Sequence, residues 1–202
     1  AWIVQRLEDG SPATKPPLYN WLAAVPILLA GTTSDFLLKL PSLLAGLLTL
    51  FLTWSIARQA AGERAALYAG VLLACSTMFS KQIYFARTDM LLTLFVVAQI
   101  WAALRARPVA YWSFAALALL TKGPIGIAIP LLALLVFWWG EGRLREQSRA
   151  LHLGAGLLLS LVPLAAWFAA ALWQGGDEVW QQLVVREGPL LEQRPAQLEG
   201  GR

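Results

Sequence analysis

Histidine, cysteine and methionine are nearly missing from this 202-residue chain, which holds one His, one Cys and two Met. A single cysteine excludes an internal disulfide framework, and with one histidine it leaves no spacing of the metal-ligand type. Cys75 lies inside an apolar run and is expected to be a small packing residue. Charge is scarce as well, at 14% of residues. The basic residues are scattered singly rather than gathered in a block, so the net charge of +4 does not indicate a nucleic-acid partner. No repeat of 20–50 residues and no low-complexity tract is present, which excludes a solenoid or an array.

What is plentiful is hydrocarbon. Hydrophobic residues make up 58% of the chain, and the mean hydropathy is +0.59. Such a composition belongs to an integral membrane protein. The expected fold class is all-α, a polytopic bundle of about six membrane helices with one interfacial helix. Residues 1–35 are read as an outer-face loop and interfacial helix, 36–173 as the membrane bundle, and 174–202 as a further outer-face loop. The chain begins at Ala1 without a methionine and ends on Gly-Gly-Arg, and it is read as a piece of a longer protein.

The apolar segment at 16–30 carries Pro16, Pro17 and Pro26 and falls short of a full crossing, which suits an interfacial or re-entrant helix. Six spans are expected at 36–57, 65–80, 90–104, 108–121, 123–140 and 151–173. Residues 108–140 taken as one helix would reach roughly 50 Å, well beyond a ~30 Å hydrocarbon core. A hairpin turning at Lys122-Gly123-Pro124 is expected instead, because Gly and Pro break the helix there. Arg58 and Arg64, Arg105 and Arg107, and Arg143, Arg145 and Arg149 mark the cytoplasmic links under the positive-inside rule. The loops at 81–89 and around Lys122 then face outward.

Ionised residues inside apolar sequence single out the candidate site, because a charge at mid-membrane costs about 2.5–3.5 kcal/mol on insertion scales. Lys15 precedes Pro16-Pro17, where backbone enters the membrane. It is either a snorkelling interfacial lysine or a cation over a headgroup phosphate. Arg87 and Asp89 either pair and cap the third span, or divide the work. In that second reading Arg87 grips a phosphate bidentately and Asp89 orients a cation or hydroxyl. Tyr84 and Phe85 are belt aromatics or a face for a sugar or prenyl chain. Lys122, at a helix break, is read as facing a site, since irregular backbone at this depth needs cover by protein or water. Asp35 is expected to cap the first span, and His152 is read as an interfacial residue.

Three stretches in series carry a resemblance: Lys15-Pro-Pro-Leu-Tyr-Asn-Trp-Leu, Ala86-Arg-Thr-Asp-Met-Leu-Leu-Thr and Leu120-Thr-Lys-Gly-Pro-Ile-Gly. Over residues 2–173 the chain resembles the bacterial protein-mannosyltransferase and aminoarabinose-transferase-like family of glycosyltransferases. The resemblance implies the C-type glycosyltransferase fold and an active site on the periplasmic face of the bacterial inner membrane. It implies a polyprenyl-phosphate sugar as donor, with a lipid, protein or glycan as acceptor, in a single displacement with inversion. It implies that Lys15 contacts the donor phosphate and that Asp89 acts at the reaction centre; Tyr19, Tyr84, Arg87 and Lys122 are read beside them as substrate-binding residues. By the same resemblance the principal acid belongs upstream of Ala1. Some relatives have an acidic residue just before the lysine that helps hold a metal; here it is Thr14, so no metal or other cofactor is expected. Two other classes stand beside this reading. A transporter or lipid flippase would place its charges nearer the midplane and pair its halves as repeats, and a structural subunit would use its charges only to hold partners.

Overall fold

The computed structural model describes residues 2–4 and 16–180, with side chains as far as Gly176. Eight helices run through the described residues: α1 (Leu18–Ala30), α2 (Asp35–Ala74), α3 (Thr77–Tyr84), α4 (Thr88–Leu104), α5 (Pro108–Lys122), α6 (Ile125–Gly140), α7 (Leu144–Ala150) and α8 (Leu153–Trp180). The chain groups into two compact units. One is Lys15–Leu164, and the other joins Ala1–Thr14 with Ala165–Arg202. In the second, the Trp167 indole N–H donates to the Ile3 carbonyl at 3.1 Å.

Helix ends follow local chemistry. Ser34, not Asp35, is the N-cap of α2; its hydroxyl accepts from the Leu37 N–H at 3.3 Å. Asp35 instead occupies the first turn, where the helix dipole favours a carboxylate. Pro108 opens α5 at the position where a missing N–H costs nothing. Gly31 closes α1 in the left-handed region, returning its N–H to Ile27.

The expected first and second spans are present as two helical limbs, joined without a loop at a kink and carried together here as α2. Helical turns continue from Asp35 to Ala74, broken only by the backbone of Gly62 at φ 84° and ψ −177°. Arg58, Gln59, Ala60 and Ala61 are good helix formers, so the polar stretch read as a link stays helical. The second span also ends earlier than expected, at Ala74 rather than residue 80. Cys75 is exposed there at the end of α2, not packed as expected. The expected loop at 81–89 is divided between the end of α3 and the start of α4, leaving Phe85 to Arg87 as the connection. α3 meets α4 at a bend of 118°.

Two described helices are long and apolar enough to cross a membrane, α2 and the 153–176 stretch of α8, and α3 with α4 adds a third if that bent pair is one span. α1 and α6 are shorter apolar helices. Phe36, Leu44, Leu47, Leu48 and Phe51 of α2 all stand exposed, and contiguous apolar surface of this kind marks contact with lipid or with further protein.

α4 is the central element of the larger unit and packs against α2, α5 and α6. It buries Met90, Leu91, Leu94, Phe95, Ala98, Gln99, Ala102 and Ala103, pairs recurring every four residues as helical periodicity requires. The small residues Ala98, Ala102 and Ala103, with Ala115 and Ala118 of α5, are each at most 5% exposed, and such side chains let helix backbones approach closely. At one end of this core the Trp112 indole lies against Gly156 and donates to the Leu151 carbonyl at 2.7 Å.

The hairpin at Lys122-Gly123-Pro124 is present. α5 stops at Lys122, Gly123 takes φ 74° and ψ −154°, and α6 returns along α5. Two contacts hold the return. Gly126 lies so near Ala118 that an added Cβ would be 2.7 Å from the alanine methyl and 2.9 Å from its carbonyl. Pro130 has no N–H to give the Gly126 carbonyl four residues back, and the Gln99 amide of α4 fills that place at 2.9 Å. A polar residue buried in the middle of α4 therefore ties the hairpin to the central helix.

Candidate functional site

One end of the larger unit collects the start of α4, the end of α5 and the end of α3. Asp89 is in the first turn of α4 and Lys122 in the last turn of α5. Each charge complements the dipole of its own helix. Antiparallel packing brings them together, and the Lys122 ammonium donates to Asp89 Oδ1 at 2.5 Å. The side chains are 39% and 34% exposed, and an ion pair so open to solvent adds only about 0–1 kcal/mol of stability. A lysine carries three N–H donors, so the pair leaves donors on Lys122 for a further anion.

Arg87 does not pair with Asp89. Its guanidinium lies over the Phe85 ring, 5.1 Å from the centroid, and it precedes α4 without capping it through its side chain. Tyr84 is 64% exposed. Its ring meets the edge of Phe85 at 5.7 Å and carries the Lys39 ammonium 4.4 Å from its centroid. Lys39 also reaches Asp35 at 3.7 Å. Arg87, Lys39 and Lys122 thus bring three cations to this end of the unit, two of them resting on aromatic rings that fix their direction.

Tyr19 is buried, at 6% exposure. Its hydroxyl donates to the Leu38 carbonyl and shares a hydrogen bond with Ser42, both at 3.0 Å. Ser42 in turn donates to the Arg87 carbonyl at 3.4 Å. Burial raises the Tyr19 phenol above its usual pKa, with the Ser42 hydrogen bond acting against this, so the phenol keeps its proton at neutral pH. The motif beginning at Lys15 is linked through Tyr19 and Ser42 to the backbone that presents Arg87. Lys15 itself lies outside the described residues; Pro17, two positions on, is fully buried. His152 is exposed between α7 and α8, at φ 50°.

Lys39, Ser42 and Gln99 are the residues that reading motifs alone missed. The rule that picked out Arg87, a polar group inside an apolar run, also applies to Lys39 and Gln99. Nothing in the sequence distinguishes Ser42 from an ordinary small packing residue. As to a metal, no three His, Cys, Asp or Glu side chains among the described residues stand close enough to share an ion. Asp89 already has Lys122 on one oxygen, so the described donor set does not fit a resident cation.

A family model described as dolichyl-phosphate-mannose-protein mannosyltransferase matches residues 14–167. The chain belongs to that family. An uncharacterized protein of Aquifex aeolicus (strain VF5) is 26% identical over 181 residues, covering 86% of this chain and 34% of that protein. Among solved structures, ArnT from Cupriavidus metallidurans in the apo state has 29% identity and a TM-score of 0.77, over 91% of this chain and 36% of that one. ArnT bound to undecaprenyl phosphate has 27% identity and a TM-score of 0.79, over 94% and 37%. The chain spans about a third of the length of these relatives. Its helices follow the C-type glycosyltransferase fold, and the protein is membrane-embedded.

Proposed function

We propose that this chain contributes the donor-phosphate half of a membrane glycosyltransferase site. The site moves a sugar from a polyprenyl-phosphate carrier to a lipid, protein or glycan acceptor on the periplasmic face of the bacterial inner membrane. One observation carries the reading: Asp89 and Lys122 meet in a partly exposed ion pair, with Arg87 two residues before Asp89, at an end of a unit whose helices carry exposed apolar faces. That ArnT from Cupriavidus metallidurans has been seen bound to undecaprenyl phosphate supports a lipid phosphate as the anion these cations await.

The chemistry follows from charge. When the bond from the sugar to the carrier breaks, negative charge grows on the departing phosphate. Cations fixed beforehand stabilise that charge without having to reorganise as the bond breaks. Arg87 offers a planar fork suited to two phosphate oxygens. Lys122 offers the donors not used by Asp89, and Lys15 is assigned to the same phosphate by its place in the Lys15-Pro-Pro-Leu-Tyr motif. Asp89, oriented by Lys122, accepts a hydrogen bond from the incoming hydroxyl and turns it toward the sugar. Tyr84 presents a ring face beside the phosphate, and Tyr19 positions the Arg87 backbone through Ser42.

The test uses membranes carrying the complete protein and a polyprenyl-phosphate sugar labelled in the sugar. The label is expected on an acceptor through a covalent bond, with Arg87→Ala reducing the yield at unchanged protein level. Label carried across sealed vesicles with no covalent product would replace this reading with transport.

A further inference from the structure

The opposite end of α4 holds a second group of cations that the reaction does not use. The helix is 17 residues long, so Arg105 stands roughly 24 Å from Asp89 along its axis. The backbone turns sharply after α4. Ala106 takes φ 48°, its N–H returns to Ala103, and the Arg107 N–H returns to Ala102. Glycine usually fills such a position, and alanine adopts it at a cost. The turn folds Arg107 back toward the indole that Arg105 already covers. The two guanidinium carbons lie 5.5 and 4.5 Å from the centroid of Trp101.

That indole is a fixed platform. Trp101 packs against the buried core around Ala102, Tyr111 and Trp112, and its N–H donates to the Ser55 hydroxyl at 3.4 Å. Arg105 Nη2 donates to the same hydroxyl at 3.1 Å. Arg105 Nη1, however, is buried with no hydrogen-bond partner. Other arginines toward this end are satisfied differently: Arg58 pairs with Glu63 at 2.6 Å, and Arg143 with Glu146 at 3.4 Å. Among the described residues no carboxylate lies within ion-pair distance of Arg105 or Arg107.

A charged donor that is buried and unpaired is costly, which points to an anion completing it. Two guanidinium groups on one ring suit an anion with several oxygens, and a phosphate diester offers them. Leu104 and Val109, on either side of the turn, are 40% and 80% exposed, as an acyl chain beside that phosphate would require. We infer that Trp101, Arg105, Arg107 and Ser55 form a binding site for the headgroup phosphate of an acidic membrane phospholipid. This lipid is separate from the sugar donor and docks at the other end of α4, anchoring the α4–α5 turn. Basic pockets between membrane helices bind acidic headgroups in this way.

The experiment measures binding of phosphatidylglycerol and phosphatidylcholine of matched chains to the complete protein in detergent micelles. Saturable binding of phosphatidylglycerol is expected, at least ten-fold tighter than that of phosphatidylcholine. Replacing both arginines (Arg105→Gln with Arg107→Gln) should weaken it about ten-fold. An equal loss of charge at Arg145→Gln with Arg149→Gln should change it less than two-fold. Lys122→Met should leave it unchanged, which separates this site from the donor site. Arg105→Lys keeps the charge and loses the fork; it should also weaken binding, and it serves if the double variant does not fold. Equal binding of the two lipids by the wild type, equal losses in both double variants, or competition by millimolar inorganic phosphate would each overturn the proposal.

Discussion

Replacing Lys122 with methionine is expected to lower sugar transfer by about two to three orders of magnitude, the usual loss when one preorganised charge-stabilising donor is removed. Thermal stability should barely change, because the pair with Asp89 is more than a third exposed on the lysine side and such pairs contribute little. Asp89→Asn should fall by a similar factor, because the amide oxygen is a neutral and weaker acceptor for the incoming hydroxyl and no longer pairs with the Lys122 charge. The double variant is informative. If the two residues act as one unit, its loss should be well short of the product of the single losses, as residues in direct contact are not additive. Transfer rates with protein levels held equal make the check. A double variant equal to the product would mean that the ion pair has no part in the reaction.

The second large effect concerns space rather than charge. Gly126→Val is expected to destabilise the bundle by about 3 kcal/mol, at the upper end for overpacking. Its Cβ would stand 2.9 Å from the Ala118 carbonyl, and backbone cannot rotate out of the way as a side chain does. α6 would have to move off α5, carrying the Gly126 carbonyl away from the Gln99 amide. Lys122, three residues before the glycine-bearing turn of α6, would then lose its approach to Asp89, so transfer should fall with stability. Thermal unfolding in detergent together with transfer rate tests this. Gly140→Ala is the control, since nothing lies within 4 Å of a Cβ added there; it should leave both unchanged.

What the sequence revealed and what it concealed have a common physical origin. The hairpin at Lys122-Gly123-Pro124 was legible because two helix-breaking residues interrupt an apolar run too long for one crossing. Arg87, Asp89 and Lys122 stood out in the sequence because charge within hydrocarbon is costly. Their pairing was not. Arg87 and Asp89 are neighbours in sequence, whereas Asp89 and Lys122 are 33 residues apart and meet only through the register of α4 on α5. That register depends on alanine contacts and on the gap that Pro130 leaves for Gln99. The junction inside α2 was partly legible. Arg58 and Arg64 marked a break between two spans, and the break is there, but the residues around them stay helical and Gly62 alone, at positive φ, makes the kink. The same balance explains α3. Gly46 of α2 leaves room for Ile83, to which an added Cβ would come within 2.5 Å, so the stretch expected as a loop folds as a helix docked on α2.

The central claim is that the cations at the Asp89 end receive a lipid-borne phosphate. Its most direct test is the affinity of the complete protein for polyprenyl phosphate compared with the uncharged polyprenol of equal length, in wild type and in Lys122→Met. The account predicts that the wild type prefers the phosphate by at least ten-fold and that Lys122→Met loses most of that preference while binding polyprenol as before. Equal affinity of the wild type for the two lipids would contradict it.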